Sequence, residues 1–113
     1  MIIAHYSFGK IVIDSRTYTS DVIIYPGRVD GKWWRKEGHR LQPEDLTGVV
    51  EAEPEAVVIG TGNLGLMKFP AETKAYLESK GIEVHLARTG RAVDLFNTLQ
   101  AKKRTVACLH LTC

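Results

Sequence analysis

Apolar positions along this chain follow two rhythms, and the change between them comes near residue 42. Before it, Phe8 to Asp14 (FGKIVID) and Tyr18 to Tyr25 (YTSDVIIY) are rich in β-branched and aromatic residues, which predicts two strands. The polar break Asp14-Ser15-Arg16 between them predicts a hairpin. Pro26-Gly27 closes the second run, and Asp30-Gly31 offers another tight turn before Lys32-Trp33-Trp34-Arg35.

After residue 42 the spacing becomes helical. Pro43 suits a first helical position, Glu44 and Asp45 complement the positive end of a helix dipole, and Leu46, Val49 and Val50 share one face until Pro54. The continuous run Ala56-Val57-Val58-Ile59 predicts a strand covered on both faces. A second helix is predicted from Pro70 to Gly81, a natural C-cap, and a strand from Ile82 to Ala87. Thr89 is placed to cap a third helix with Ala92, Val93, Phe96 and Leu99 on one face and Lys102, Lys103 and Arg104 toward its C-terminal end. Thr105 to Leu111 (TVACLHL) is the last predicted strand.

Strand, helix, strand, helix, strand from Ala56 onward is a pair of βαβ units. The expected fold is therefore α/β. It is a three-layer α/β/α sandwich whose mixed sheet is parallel in the C-terminal two-thirds and carries N-terminal antiparallel strands. At 113 residues, with no linker or repeat, positions 1–113 are expected to form one domain.

Charge narrows the partners. Fifteen basic residues against 13 acidic ones leave a formal net charge of +2, with the acids spread along the chain, so a dedicated nucleic-acid face is not expected. No apolar run approaches the ~20 residues of a membrane span, and the start lacks a basic region followed by an apolar stretch. The expected location is the cytoplasm, with no membrane association. Cys108 and Cys113, five residues apart, lie too far apart on a strand for a disulfide and are expected to stay reduced.

Two segments carry candidate chemistry. Gly60-Thr61-Gly62-Asn63-Leu64-Gly65 spells G-x-G-x-x-G after a strand, the pattern that lets a pyrophosphate approach a backbone turn. The dinucleotide reading is set aside because Leu66-Met67-Lys68-Phe69 delays the next helix and Arg88 stands where a ribose-binding acid would. The position still matters, since ligands of open α/β sheets sit beyond the carboxyl ends of the strands. Gly60, Thr61, Gly62, Asn63 and Gly65 with Arg88, Thr89, Gly90 and Arg91 are candidates for a small phosphate or carboxylate site at a helix start. The alternative is a glycine-rich turn that merely lets strand and helix pack closely, with Thr89 serving only as a cap.

The second segment is Trp33-Trp34-Arg35-Lys36-Glu37-Gly38-His39-Arg40. Its aromatic and basic residues could stack and neutralise a single-stranded nucleic acid. Strand alternation opposes that use, because Trp33 and Trp34 should face opposite ways. One Trp is expected in the core and the other at an edge, where it could anchor a protein partner or a second copy of the chain. Trp33, Trp34, Arg35, Lys36 and His39 are the partner-binding candidates. No catalytic motif is present, and no cofactor is expected. Cys108 with His110 falls short of a metal ligand set, and no metal site is expected. His39 and His110 are the available acid–base groups.

Several stretches match one family. They are Tyr6-Ser7-Phe8-Gly9, Asp21-Val22-Ile23-Ile24, Trp33-Trp34-Arg35-Lys36 with Gly38-His39, Gly60-Thr61-Gly62, Thr89-Gly90 with Ala92, Phe96 and Asn97, and Leu109-His110-Leu111-Thr112-Cys113. In these the chain resembles the small archaeal and bacterial proteins of the Mth type. That group includes an adipogenesis-associated Mth-domain protein and, more distantly, a mitochondrial complex I assembly factor. The resemblance implies a compact three-layer α/β fold and little chemistry, since it supplies no catalytic residues and the assembly role belongs to the mitochondrial relatives. With ligand-site glycines present but no catalytic groups, the expected function is a small non-enzymatic binding or assembly module, the alternative being a small-anion binding protein or enzyme at the strand ends.

Overall fold

The computed structural model describes all residues, Met1–Cys113, and contains eight strands and three α-helices. Strands β1 (Ile3–Ser7), β2 (Lys10–Ile13) and β3 (Arg16–Tyr18) form an antiparallel sheet of their own. The expected hairpin joins β2 to β3, and its two corner residues, Asp14 and Ser15, both have positive φ (47° and 67°). That geometry matches the twist of the flanking strands.

The main sheet has five strands in the order β5-β4-β8-β6-β7. It consists of β4 (Val22–Tyr25), β5 (Arg28–Asp30), β6 (Ala56–Gly60), β7 (Glu83–Ala87) and β8 (Thr105–Leu109). Strand β6 pairs in parallel with both β7 and β8, while β4 pairs antiparallel with β8 and β5. All five residues of β6 are buried, as its continuous apolar run predicts.

Helices cover both faces. On one lie a 3₁₀ turn at Pro43–Leu46, α1 (Thr47–Glu51) and α2 (Ala71–Ser79). Leu46, Val49 and Leu77 meet Val57, Ile59, Val106 and Cys108 there, together with Trp33 and Leu41. On the other face α3 (Thr89–Leu99) presents Ala92, Val93 and Phe96 to Val58, Ala107 and Leu109. The small sheet joins that side through Ile3, Ile11 and Ile13. The expected three-layer α/β fold with a mixed sheet is what forms.

Three local expectations are corrected. The run Tyr18 to Tyr25 is two strands in two sheets, parted at Thr19-Ser20-Asp21. A strand, β1, precedes Phe8, because Ile3 buries against the α3 side of the core. Thr89 is not the cap of α3: Arg88 holds that position without a side-chain cap bond, and the Thr89 hydroxyl bonds elsewhere.

Candidate functional site

Adjacent strands β6 and β7 send the chain to opposite faces of the sheet, to α2 and α3. The position where such folds open a ligand crevice therefore falls between Gly60–Gly65 and Arg88–Arg91. The structure brings these candidates together and joins them directly. Gly62 N donates to Thr89 Oγ1 at 2.9 Å, Thr89 N donates to Gly62 O at 3.1 Å, and Thr61 Oγ1 donates to Ala87 O at 3.2 Å. Two more loop amides are engaged, Asn63 N donating to Thr112 O and Gly65 N to Gly62 O, and just beyond the loop Leu66 N donates to Cys113 O. Gly62, at φ +108°, tolerates no side chain, since a Cβ would collide with the Cys113 backbone and lie 2.8 Å from His110 Cδ2. Arg88 reaches back over the loop to Leu64 O at 3.4 Å. Gly90 and Arg91 are exposed in the first turn of α3.

The second candidate segment is built differently. Residues 32–36 form no ladder, yet their burial alternates: Trp33 and Arg35 are buried, Lys32, Trp34 and Lys36 exposed. Trp33 Nε1 donates to Asp45 O at 3.3 Å, and the Trp33 backbone N–H donates to Asp21 O at 3.0 Å. The Arg35 guanidinium lies 4.5 Å over the Trp33 ring, donates to Gly38 O through Nε and Nη2, and meets Asp21 Oδ2 at 2.8 Å.

Asp21 is the hub of this region, and sequence reading did not select it. Its Oδ2 also accepts from His110 Nδ1 at 2.8 Å, and its Oδ1 accepts from Leu111 N at 2.7 Å. Burial pushes the Asp21 carboxyl up, but hydrogen bonds from His110, the Leu111 amide and Arg35, with the charge of His110, outweigh it. Together they hold the carboxyl at about 2. With Asp21 ionised, His110 Nδ1 carries the proton toward it, so the 3.3 Å approach of Arg35 Nη2 to that nitrogen is a contact between donors. His110 Nε2 and Arg35 Nη1 are buried without partners. The exposed His39 ring stands edge-on to His110, with centroids 5.3 Å apart. An aspartate opening a short apolar strand and a histidine closing another were the only local signals of this cluster.

His110 also ties the two candidate regions together. Its backbone N donates to Gly60 O at 3.0 Å and its O accepts from Thr89 Oγ1 at 2.6 Å, while its imidazole serves Asp21. Cys108, fully buried beneath, has its thiol pushed well up by burial and is packing rather than nucleophile. No three of the His, Cys, Asp and Glu side chains gather into a set able to hold a metal ion.

A groove of about 450 Å³ runs beside Trp34, walled by Tyr25, Trp33, Lys32, Lys36 and Glu44 among others. None of the five surface cavities is lined by a residue of Gly60–Gly65 or Arg88–Arg91. No helix is long and apolar enough to cross a membrane.

A family model described as protein of unknown function, DUF498/DUF598, matches residues 3–111. The chain belongs to the DUF498/DUF598 family. Solved structures agree with that membership. A conserved hypothetical protein of Pyrococcus horikoshii OT3 is similar over the whole of both chains, at 31% identity and a TM-score of 0.86. A protein of Bartonella henselae called an outer membrane protein is 28% identical, covering 98% of this chain and 94% of its own, with a TM-score of 0.83. The structure named MT938 is 25% identical over 99% of this chain and 98% of its own, with a TM-score of 0.82. An Mth938-like domain of Bordetella pertussis, at 19% identity, shares the DUF498 fold. The resemblance to Mth-type proteins is thus a family relationship.

Proposed function

We propose that the protein is a binding or assembly module that docks a protein partner through the exposed face of Lys32, Trp34 and Lys36. The observation that carries this reading is Trp34 itself. It is 77% exposed, while its neighbours on both sides, Trp33 and Arg35, are buried and bonded. A large indole held in water on an anchored segment, beside a groove, is the arrangement of an interface anchor. Lys32 and Lys36 flank it on the same face, which suits a partner offering an apolar socket rimmed by acidic groups. His39, exposed at the end of the segment, packs its ring edge-on to His110.

The small-anion reading at Gly60–Gly65 and Arg88–Arg91 draws less support, because most of the loop's amides donate within the chain and no cavity opens there. Co-purification from the native host separates the readings. Trp34→Ala should weaken capture of the partner roughly 30-fold or more, the scale of a buried interface tryptophan, and Trp34→Phe should restore part of it. Equal recovery of all associated proteins by wild type and Trp34→Ala would refute this docking face. Association with single-stranded oligonucleotides that fell with added salt would move the same face to nucleic acid.

A further inference from the structure

The five-stranded sheet has two edges. Strand β5 ends one with only three residues, whereas β7 leaves five open on the other. In the parallel ladder with β6, Glu83 N donates to Glu55 O at 3.0 Å and Ala87 O accepts from Thr61 N at 2.9 Å. Bonding alternates along a parallel strand, so Glu83, His85 and Ala87 turn their backbone groups toward β6, and Val84 and Leu86 turn theirs outward. No strand lies beyond them. Native sheets blunt such an edge with proline, a bulge or a covering loop. Strand β7 has no proline, and Leu86 is 51% exposed. Leu64, also half exposed, is held at the end of the strand by the bond from Arg88 Nη2 to its carbonyl.

We propose that β7 is a self-association edge, where two copies of this chain pair antiparallel about a two-fold axis at His85 and continue one sheet across both. The register follows from which backbone groups are free. With the axis at His85, Val84 of each copy lies opposite Leu86 of the other, and these two residues exchange four N–H···O bonds. Moving the axis to Val84 or Leu86 sets one of them against Ile82 or Arg88. The Ile82 N–H is already given to Leu77 O, and the Arg88 carbonyl already accepts from Ala92 N.

Side chains agree with that register. Residues directly opposite share a sheet face, so the exposed Leu86 of one copy covers Val84 of the other, which packs on the core beneath α2. A second copy of this chain therefore matches the edge in backbone and apolar surface. The interface is separate from the Trp34 face.

Sedimentation velocity on the full chain, from low to several hundred micromolar, tests this. The expected result is a dimer that Leu86→Lys weakens at least tenfold and Trp34→Ala leaves unchanged. Amide exchange of the wild type gives a readout that needs no variant, with Val84 and Leu86 becoming protected as concentration rises. A chain that stays monomeric throughout overturns the proposal. So does a dimer in which Leu86→Lys has no effect and the Val84 and Leu86 amides exchange freely.

Discussion

The glycine loop Gly60–Gly65 and the segment Trp33–His39 meet at the same residue, His110, and are used in opposite ways. The glycine loop turns its polar groups inward. Its amides find Thr89, Gly62, Thr112 and Cys113, and the missing side chain at Gly62 makes room for that closure. The tryptophan segment has little backbone pairing and is instead fastened by alternate side chains, leaving the others in water. A sequence pattern that looks like a ligand loop spends most of its amides on its own chain, and a stretch without regular structure holds alternate side chains in water. What separates them is where the hydrogen bonds go, not which residue types they contain.

Variants can break this comparison, and the largest effect is expected at the hub. Asp21→Ala leaves Arg35 buried without its carboxylate and should cost about 3–5 kcal/mol. At roughly 4–8 °C per kcal/mol for a domain of this size, thermal melting by circular dichroism would show it readily. Amide exchange should rise first at Trp33 to Arg35 and later at Gly62 to Leu66. Gly62→Ala should act in the other region. The backbone strain alone is about 1–3 kcal/mol, before the collision with Cys113, and Trp34 fluorescence should stay unchanged.

Thr89→Val removes the hydroxyl that joins Gly62 N to His110 O, two buried bonds whose loss should cost about 1–3 kcal/mol in chemical denaturation. Acid sharpens the contrast further. The Asp21 carboxyl is depressed in the fold, so its contribution is present above the ordinary carboxylate range near 4 and is lost as pH falls toward about 2. Stability measured across that window should fall less steeply in Asp21→Asn than in the wild type. The smallest stability effect is expected at Trp34→Ala, within about 0.5 kcal/mol, because the indole is in water.

Much of this was legible in the chain itself. The apolar run Ala56–Ile59, the helical face of Ala92, Val93 and Phe96, and the corner at Asp14-Ser15 depend on near neighbours, so local pattern identifies them. That the two tryptophans would part, one to the core and one to the surface, was readable for the same reason; that Trp33 is the buried one was not. Asp21 was not, because its partners lie 14 residues away at Arg35 and 89 away at His110. Nor was the role of Thr89. A threonine before a helical run reads as a cap, and only the fold brings Gly62 and His110 to its hydroxyl. Leu86 and the open edge of β7 depend on strand order, which periodicity does not encode.

The most direct test sets the two regions side by side. Trp34→Ala and the pair Arg88→Ala, Arg91→Ala should be carried through one quantitative co-purification from the native host, each compared with the wild type. Trp34→Ala should lose the partner while the arginine pair retains it. Loss in the arginine pair with full recovery by Trp34→Ala would contradict this expectation and place the working surface at the glycine loop.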